Sequence, residues 1–80
     1  MQTLEPIYIL INFFDHNVSL KLRSGRTITG KFVKYYRVSK NLVKWSFLEN
    51  ENIPFYKSEN DLHITSIINN EDIVEIVKID

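Results

Sequence analysis

The sequence of 80 residues contains no cysteine. A chain without thiols has no disulfide bond, thiolate zinc site, iron–sulfur cluster or cysteine nucleophile. Hydrophobic residues make up 44% of the chain and charged residues 25%, which is the range of globular proteins and indicates a folded chain rather than a disordered one. We therefore expect one small domain that spans residues 1–80.

The sequence also lacks a long hydrophobic run. No apolar stretch approaches the ~20 residues that cross a bilayer. The first residues include no basic segment, and Glu5, Pro6 and Asn12 interrupt the apolar stretch there, which is unlike a signal peptide. We expect a protein of the cytoplasm, the nucleus or both, which is not secreted and does not bind membranes.

Motifs of catalysis and cofactor binding are missing as well. The two histidines, His16 and His63, form no His-Glu-x-x-His motif. Serine, histidine and aspartate occur, but no Gly-x-Ser-x-Gly elbow is present. Gly25 and Gly30 are too few for a phosphate-binding loop. We expect neither an enzyme, nor a metal site, nor a cofactor.

Charge is balanced over the whole chain but not along it. Residues 21–44 contain eight Lys or Arg and no acid, whereas residues 49–80 contain eight acids and two lysines. A basic half and an acidic half can bind nucleic acid, bind each other across a subunit contact, or form solvated strand faces. The sequence leaves these three interpretations open.

Apolar residues near the N-terminus recur at the spacing of an amphipathic helix. They are Leu4, Ile7, Tyr8, Ile11 and Phe14, with Leu10 widening the stripe. Thr3 can cap the first turn, and Pro6 fits there because a first-turn N–H has no helical partner. The pattern predicts a helix over 4–14, whose stripe either packs on the open end of a barrel or docks on a partner helix.

From Val18 onwards the apolar period changes from 3.6 to 2, which indicates strands. The predicted strands span residues 18–23, 26–36, 42–48, 62–68 and 73–79. Ser24-Gly25 predicts a hairpin turn, and Gly30 predicts a bend in the second strand. The last strand is apolar on both faces and therefore needs cover.

These elements predict a mainly β fold, in which an N-terminal helix precedes a five-stranded, strongly bent antiparallel sheet. A small barrel of the SH3-like or OB-like kind has this composition. In this prediction the helix covers residues 4–14 and the barrel residues 18–79. Val43, Trp45 and Phe47 share one face of the third strand.

The order and spacing of these features resemble the first motif of the Sm/LSm family. The matching residues are Val18, Leu20, Leu22, Gly25, Ile28, Gly30, Phe32, Asn41, Leu42 and Val43. The segment 68–76 is similar to the apolar frame of the family's second motif. The resemblance implies an Sm-like barrel, in which the fourth strand of one subunit pairs with the fifth strand of the next.

The resemblance is incomplete at the RNA site of Sm rings. In those rings a loop side chain stacks on a base, an Asn reads the base edge, and an Arg-Gly pair adds a cation. Here Asn41 matches the Asn, but Ser39 stands at the stacking position and Asn69-Asn70 replaces Arg-Gly. Because stacking contributes roughly 1–3 kcal/mol per base, we expect RNA contact to be weak.

Within the family, the chain most resembles the Gemin-seven type of Sm-fold protein. Such proteins belong to the SMN complex, which loads Sm rings onto spliceosomal small nuclear RNA. The shared features are the helix that runs into the Val18 strand, Phe32, Pro54 and the segment 70–74. The resemblance implies a non-enzymatic subunit that pairs with another Sm-fold protein, with Sm proteins or a helical scaffold subunit as further partners.

Edge-strand pairing would place the protein interface on the last two strands. The predicted interface residues are Leu62, Ile64, Ile67, Ile73, Val74 and Ile76. The alternative for each of them is an ordinary place in the core.

A second interpretation is a subunit of an RNA-binding Sm/LSm ring. The residues that would face RNA are Ser39, Lys40, Asn41 and Asn69. Tyr35, Tyr36 and Trp45 lie near these basic residues in sequence and would form either a stacking surface for RNA or a protein contact.

Overall fold

The computed structural model describes residues 4–79, with the backbone only at positions 59 and 60. Its first element is helix α1, Pro6–Asn12. Glu5 is the N-cap residue and makes no side-chain capping bond, while the predicted cap, Thr3, lies outside the described residues. The helix ends at Asn12, before the predicted end at residue 14, because Phe13 leaves the helical region with a φ of −124°, and Asp15 then adopts a positive φ of 70°.

The buried face of α1 differs from the predicted stripe. Ile9 is fully buried and Phe13, four residues later, is buried as well, whereas Ile7 is 62% and Ile11 74% exposed. The partly buried side chains that complete this contact are Leu4, Leu10 and Phe14. The prediction is therefore wrong for Ile7, Tyr8 and Ile11, because packing against the sheet decides how so short a helix is oriented.

Five strands follow the helix. They are β1 (Val18–Leu22), β2 (Thr27–Ser39), β3 (Leu42–Glu49), β4 (Ser66–Asn69) and β5 (Ile73–Lys78). They form one antiparallel sheet in the order β4-β3-β2-β1-β5. The mainly β fold with one short N-terminal helix and five antiparallel strands is confirmed.

The β1–β2 hairpin turns at Ser24-Gly25, as predicted. Gly25 has a φ of 94°, which costs little only for a residue without Cβ. The N–H groups of Leu22 and Gly25 donate to the carbonyls of Arg26 and Leu22, both at 2.8 Å.

Gly30 lies in the interior of β2, where its backbone passes close to β3. A Cβ at this position would overlap the Leu48 carbonyl oxygen and lie 2.8 Å from Glu49 Cα. β2 continues to Ser39, beyond its predicted end at 36, because Arg37 and Ser39 still align with β3. The connection between the second and third strands, predicted to span residues 37–41, is therefore confined to the turn at 40–41.

Three aromatic rings fill the core on one face of the sheet. The ring centroid of Phe32 lies 4.8 Å from that of Trp45 and 5.3 Å from that of Phe47, distances typical of favourable aromatic pairs. The other buried members of the core are Ile9, Phe13, Val18, Leu20, Ile28, Val43, Ile68 and Ile73. The predicted shared face of Val43, Trp45 and Phe47 is confirmed.

Trp45 also ties the helix entrance to the sheet. Its Nε1–H donates to Asn70 Oδ1 at 2.9 Å, and Asn70 Nδ2 donates to the Leu4 carbonyl at 2.7 Å. Trp45 is fully buried, so the prediction that it contributes to a surface contact is wrong. Tyr35, which packs its ring edge against Trp45, is partly buried.

Three 3-10 turns connect the last strands. They are Asn50–Phe55 and Glu59–Ile64 between β3 and β4, and Asn70–Asp72 between β4 and β5. The radius of gyration is 11.9 Å, close to the ~11.6 Å expected for a compact chain of this length. Among residues 4–79, no helix has the length and apolar content to span a membrane.

Candidate functional site

The two outer strands each leave one backbone edge unpaired within the described residues. β4 is bonded to β3 and β5 to β1, and the sheet order gives neither strand a second neighbour. β4 and β5 stand at opposite ends of the sheet, so they do not pair with each other. Exposed N–H and C=O groups on a strand edge are a template for pairing with another chain.

On β4, an apolar side chain stands beside this free edge. Ile68, opposite Trp45, is buried, whereas Ile67, opposite Ser46, is 57% exposed. Ile67 therefore lies on the face of the sheet that is opposite the core, next to unpaired backbone.

On β5, two valines are likewise exposed apolar side chains beside the unpaired backbone. The register with β1 shifts between Lys21 and Leu22, and Val74 is the extra residue of this β-bulge. Val74 is 41% exposed and Val77 is 48% exposed. Both open edges thus combine free backbone groups with exposed apolar side chains.

The predicted interface residues of the two strands are not equivalent. Ile67 and Val74 are exposed at the free edges, whereas Ile73 is buried in the core and Ile76 is partly buried against it. Ile73 and Ile76 therefore hold β5 on the sheet, whereas the side chains of Ile67 and Val74 remain accessible.

The predicted strand 62–68 is wrong in its first half. Leu62 and Ile64 belong to the 3-10 turn Glu59–Ile64, and β4 begins only at Ser66. Both side chains are partly buried and lie before the edge strand rather than on it.

Local hydrogen bonds explain why this segment turns instead of extending. The Asp61 carboxylate accepts bonds from the backbone N–H groups of Lys57 (2.7 Å) and Ser58 (3.3 Å). The backbone N–H and the hydroxyl of Thr65 both donate to the Leu62 carbonyl, at 3.0 and 2.6 Å. Bonds of this kind compete with a strand ladder for the same backbone groups.

Val77 belongs to the exposed surface of β5 and is not among the predicted interface residues. It aligns with Ser19, which alternates with the buried Val18 and Leu20. The alternation along β1 places Ser19 on the face opposite the core. It identifies Val77 as a residue of that face only when the β1–β5 register is known.

A cleft of about 510 Å³ lies between the start of α1 and the β2–β3 turn. Of the predicted RNA-contacting residues, Lys40 and Asn41 line it. Ser39 is exposed at the end of β2, and Asn69 lies in β4 opposite Lys44, so neither lines the cleft. The structure brings together two of the four residues.

The polar groups of this cleft are mixed in charge. Arg37 and Lys40 line it together with the acids Glu5 and Glu71. The Arg37 guanidinium donates to the Lys40 carbonyl at 3.4 Å, and the Asn70 amide is already bonded at both ends. Two carboxylates beside two cations make a poor site for a phosphate backbone.

Within residues 4–79, no three His, Asp or Glu side chains gather in a cluster that would hold a metal ion. In comparisons with known proteins, no family model, no curated protein and no solved structure matches this chain. The free edges of β4 and β5 are therefore the feature with the clearest chemical capacity, which is to add a strand from another polypeptide.

Proposed function

We propose that this chain is a non-enzymatic interaction subunit that pairs an outer strand with the edge strand of another Sm-fold protein. The observation that supports the proposal is the sheet order, which leaves β4 and β5 as separate free edges. This order agrees with the subunit contact that the sequence resemblance implies, in which a fourth strand meets a neighbour's fifth strand.

Strand addition has two sources of affinity at these edges. Main-chain hydrogen bonds replace water on the free N–H and C=O groups, and apolar side chains on either side lose exposed surface. Full burial of a Val or Ile side chain contributes about 1.5–3 kcal/mol. Ile67, Val74 and Val77 are half exposed, so burying the remainder contributes about 1 kcal/mol each.

The process we propose is the assembly of spliceosomal small nuclear ribonucleoproteins, in machinery similar to the SMN complex of the cytoplasm and nucleus. The support for this part is the resemblance of the helix, Phe32, Pro54 and the segment 70–74 to the Gemin-seven type. In such machinery the chain would bind Sm-fold proteins without reading RNA bases itself.

A second candidate function is that of an RNA-binding subunit in an Sm/LSm ring. The observation in its favour is that Lys40 and Asn41 share one cleft. Glu5 and Glu71 in the same cleft weaken this candidate, as does the Asn70 amide, whose bonds to Trp45 and Leu4 occupy it.

The test is to mix the full chain with recombinant Sm-fold proteins, one at a time, and measure mass by size-exclusion chromatography with light scattering. We expect a one-to-one complex with one of them. The double variant Ile67→Lys/Val74→Lys should lose this complex, because a lysine beside a free edge opposes strand addition. Circular dichroism should show an unchanged fold, since both side chains are exposed.

Val38→Lys is the matched control, because Val38 is 59% exposed on β2, away from both free edges. It should bind as the unmodified chain does. A monomer that binds no Sm-fold protein would contradict the proposal, as would a double variant that still binds. Self-assembly into six- or seven-membered rings, with uridine-selective RNA binding that Asn41→Ala abolishes, would favour the ring subunit instead.

A further inference from the structure

Four lysines of the three central strands lie on one face of the sheet, opposite the core. They are Lys21 of β1, Lys31 and Lys34 of β2, and Lys44 of β3. Residues directly opposite each other in a ladder share a face, and successive residues alternate. Lys44 alternates with the buried Val43 and Trp45, so it points away from the core.

A bulge in β2 is what places Lys31 and Lys34 on the same face. An uninterrupted strand would put residues three apart on opposite faces. The β2–β3 register shifts between Phe32 and Lys34, so the alternation changes phase at Val33. Phe32 before the shift and Tyr35 after it both pack in the core, which leaves Lys31 and Lys34 on the outer face.

The charge of this lysine face is largely uncompensated. Among the residues that the structure describes, no ion pair involves any of its four lysines, and Glu49 of β3 pairs instead with Arg26 at 3.7 Å. The other acid within the strands, Glu75, aligns with Lys21 across the β1–β5 ladder. Lys31, Lys34 and Lys44 therefore form a patch of three cations without a facing acid.

The side chains of this patch suit the binding of a phosphate backbone better than the binding of a protein surface. Protein interfaces are depleted in lysine, whereas lysine is a standard point-charge ligand of phosphate. The positions beside the patch on the same face include the hydroxyl side chains of Ser19, Thr27 and Thr29, which can donate to phosphate oxygens. Lys34 Nζ lies 5.5 Å from the centre of the Tyr36 ring, which adds an aromatic surface to the patch.

We infer that the lysine face binds the phosphodiester backbone of a single-stranded nucleic acid, independently of base sequence. Lys31, Lys34 and Lys44 belong to two neighbouring β-strands, whose backbones lie about 5 Å apart. A flexible single-stranded nucleic acid can bring successive phosphates to each of these lysines. The face lies apart from the β2–β3 turn, so it involves neither Lys40 nor Asn41. It also leaves the free strand edges available to a protein partner.

The experiment is fluorescence anisotropy of the full chain with labelled oligonucleotides of about 16 nucleotides. Oligouridine and oligoadenosine should bind within about threefold of each other, since backbone contacts carry no base information, and oligothymidine shows whether DNA binds as RNA does. With three phosphate contacts, the slope of log affinity against log salt should be about −2 for a single strand.

The double variant Lys34→Gln/Lys44→Gln should weaken binding at least about tenfold near 100 mM salt and reduce the slope by about 1.4. Lys57→Gln/Lys78→Gln removes the same charge outside the lysine face and should bind nearly as the unmodified chain does. Lys34→Arg/Lys44→Arg keeps the charge and should retain binding. The fluorescence of the single tryptophan reports whether each variant is folded.

Three results would overturn the inference. One is equal loss of binding in the Lys34/Lys44 and Lys57/Lys78 glutamine variants, which would mean that only net charge matters. Another is uridine-selective binding that Asn41→Ala abolishes, which would move the site to the cleft. The third is tighter binding of polyglutamate than of any oligonucleotide with the same dependence on Lys34 and Lys44, which would identify the occupant as an acidic protein. RNA binding that exceeds DNA binding, without base preference, would support the inference and assign the ligand to RNA.

Discussion

β3 and β5 both carry apolar residues on their two faces, yet the chain itself covers only one of them. β3 has a neighbour on each side, and Ser46 and Leu48 are buried on its outer face just as Trp45 and Phe47 are on its core face. β5 has one neighbour, and its Val74 and Val77 are about half exposed. A strand with apolar residues on both faces therefore needs other residues to bury them. The sheet order decides whether those residues belong to the same chain.

The comparison of β3 with β5 also separates residues that stabilise the fold from residues that are available to bind another molecule. The buried residues at the centre of the sheet, where β2 and β3 meet, stabilise the fold. The exposed side chains of the edges add little to stability and are available for an interface. Substitutions at the centre and at the edges should therefore act on different measurements.

The largest effect should come from Gly30→Ala at the contact of β2 with β3. The new methyl group would overlap the Leu48 carbonyl oxygen, which is backbone and cannot rotate away. We expect a loss of more than about 4 kcal/mol in the free energy of unfolding, enough to unfold a domain of this size. Urea denaturation followed by circular dichroism measures it.

Gly25→Ala is the control for this change, because no atom lies within 4 Å of its added Cβ. It retains the penalty of a φ of 94° and should cost about 1–2 kcal/mol. Equal stability of the two alanine variants would show that close packing at Gly30 does not matter.

A smaller loss is expected for Asn70→Ala, which removes the link from Trp45 to the start of α1. The substitution leaves the buried Trp45 Nε1–H and the Leu4 carbonyl without the bonds of 2.9 and 2.7 Å. Because an unsatisfied buried group costs about 1–3 kcal/mol, we expect a loss of about 3 kcal/mol and a shift in the tryptophan emission. Asn69→Ala, one residue earlier, should change stability by less than about 0.5 kcal/mol, and a loss as large as that of Asn70→Ala would contradict the role of this link.

The smallest effects on stability are expected for Val→Thr, a substitution that can be made at one valine of β3 and at one valine of β5. Val43 is buried in β3, so Val43→Thr places a hydroxyl in the core and should cost about 1–3 kcal/mol. Val77 is 48% exposed in β5, so Val77→Thr should cost less than about 0.5 kcal/mol. Thermal melts of both variants check the comparison, and a similar cost at the two positions would show that β5 is covered in the isolated chain.

The first three strands could be predicted from the sequence because their features are local. Alternation at Val18, Leu20 and Leu22 and the turn at Gly25 need no information about the rest of the chain. The start of β4 could not be predicted, since the bonds of Asp61 and Thr65 compete with a ladder that the pattern alone favours. The same limit applies to α1, whose apolar residues surround the helix and do not mark a single face.

The candidate sites depend on register, which a single sequence does not contain. Ile67 and Val74 could be predicted as edge residues, whereas Val77 required the alignment of β5 with β1. The lysine face required the bulge at Val33, because Lys31 and Lys34 are an odd number of residues apart. Bulges of this kind are set by tertiary packing and leave no signature in the alternation.

The pairing of β1 with β5 has a consequence for how the chain is made. These strands are neighbours in space but are the first and the last of the five strands to be synthesised. Until residues 73–78 emerge, the nascent β1–β3 meander has an uncovered edge at β1 where β5 later docks. Contacts so distant along the chain slow folding. Protection of this edge by a chaperone would therefore be most valuable during synthesis.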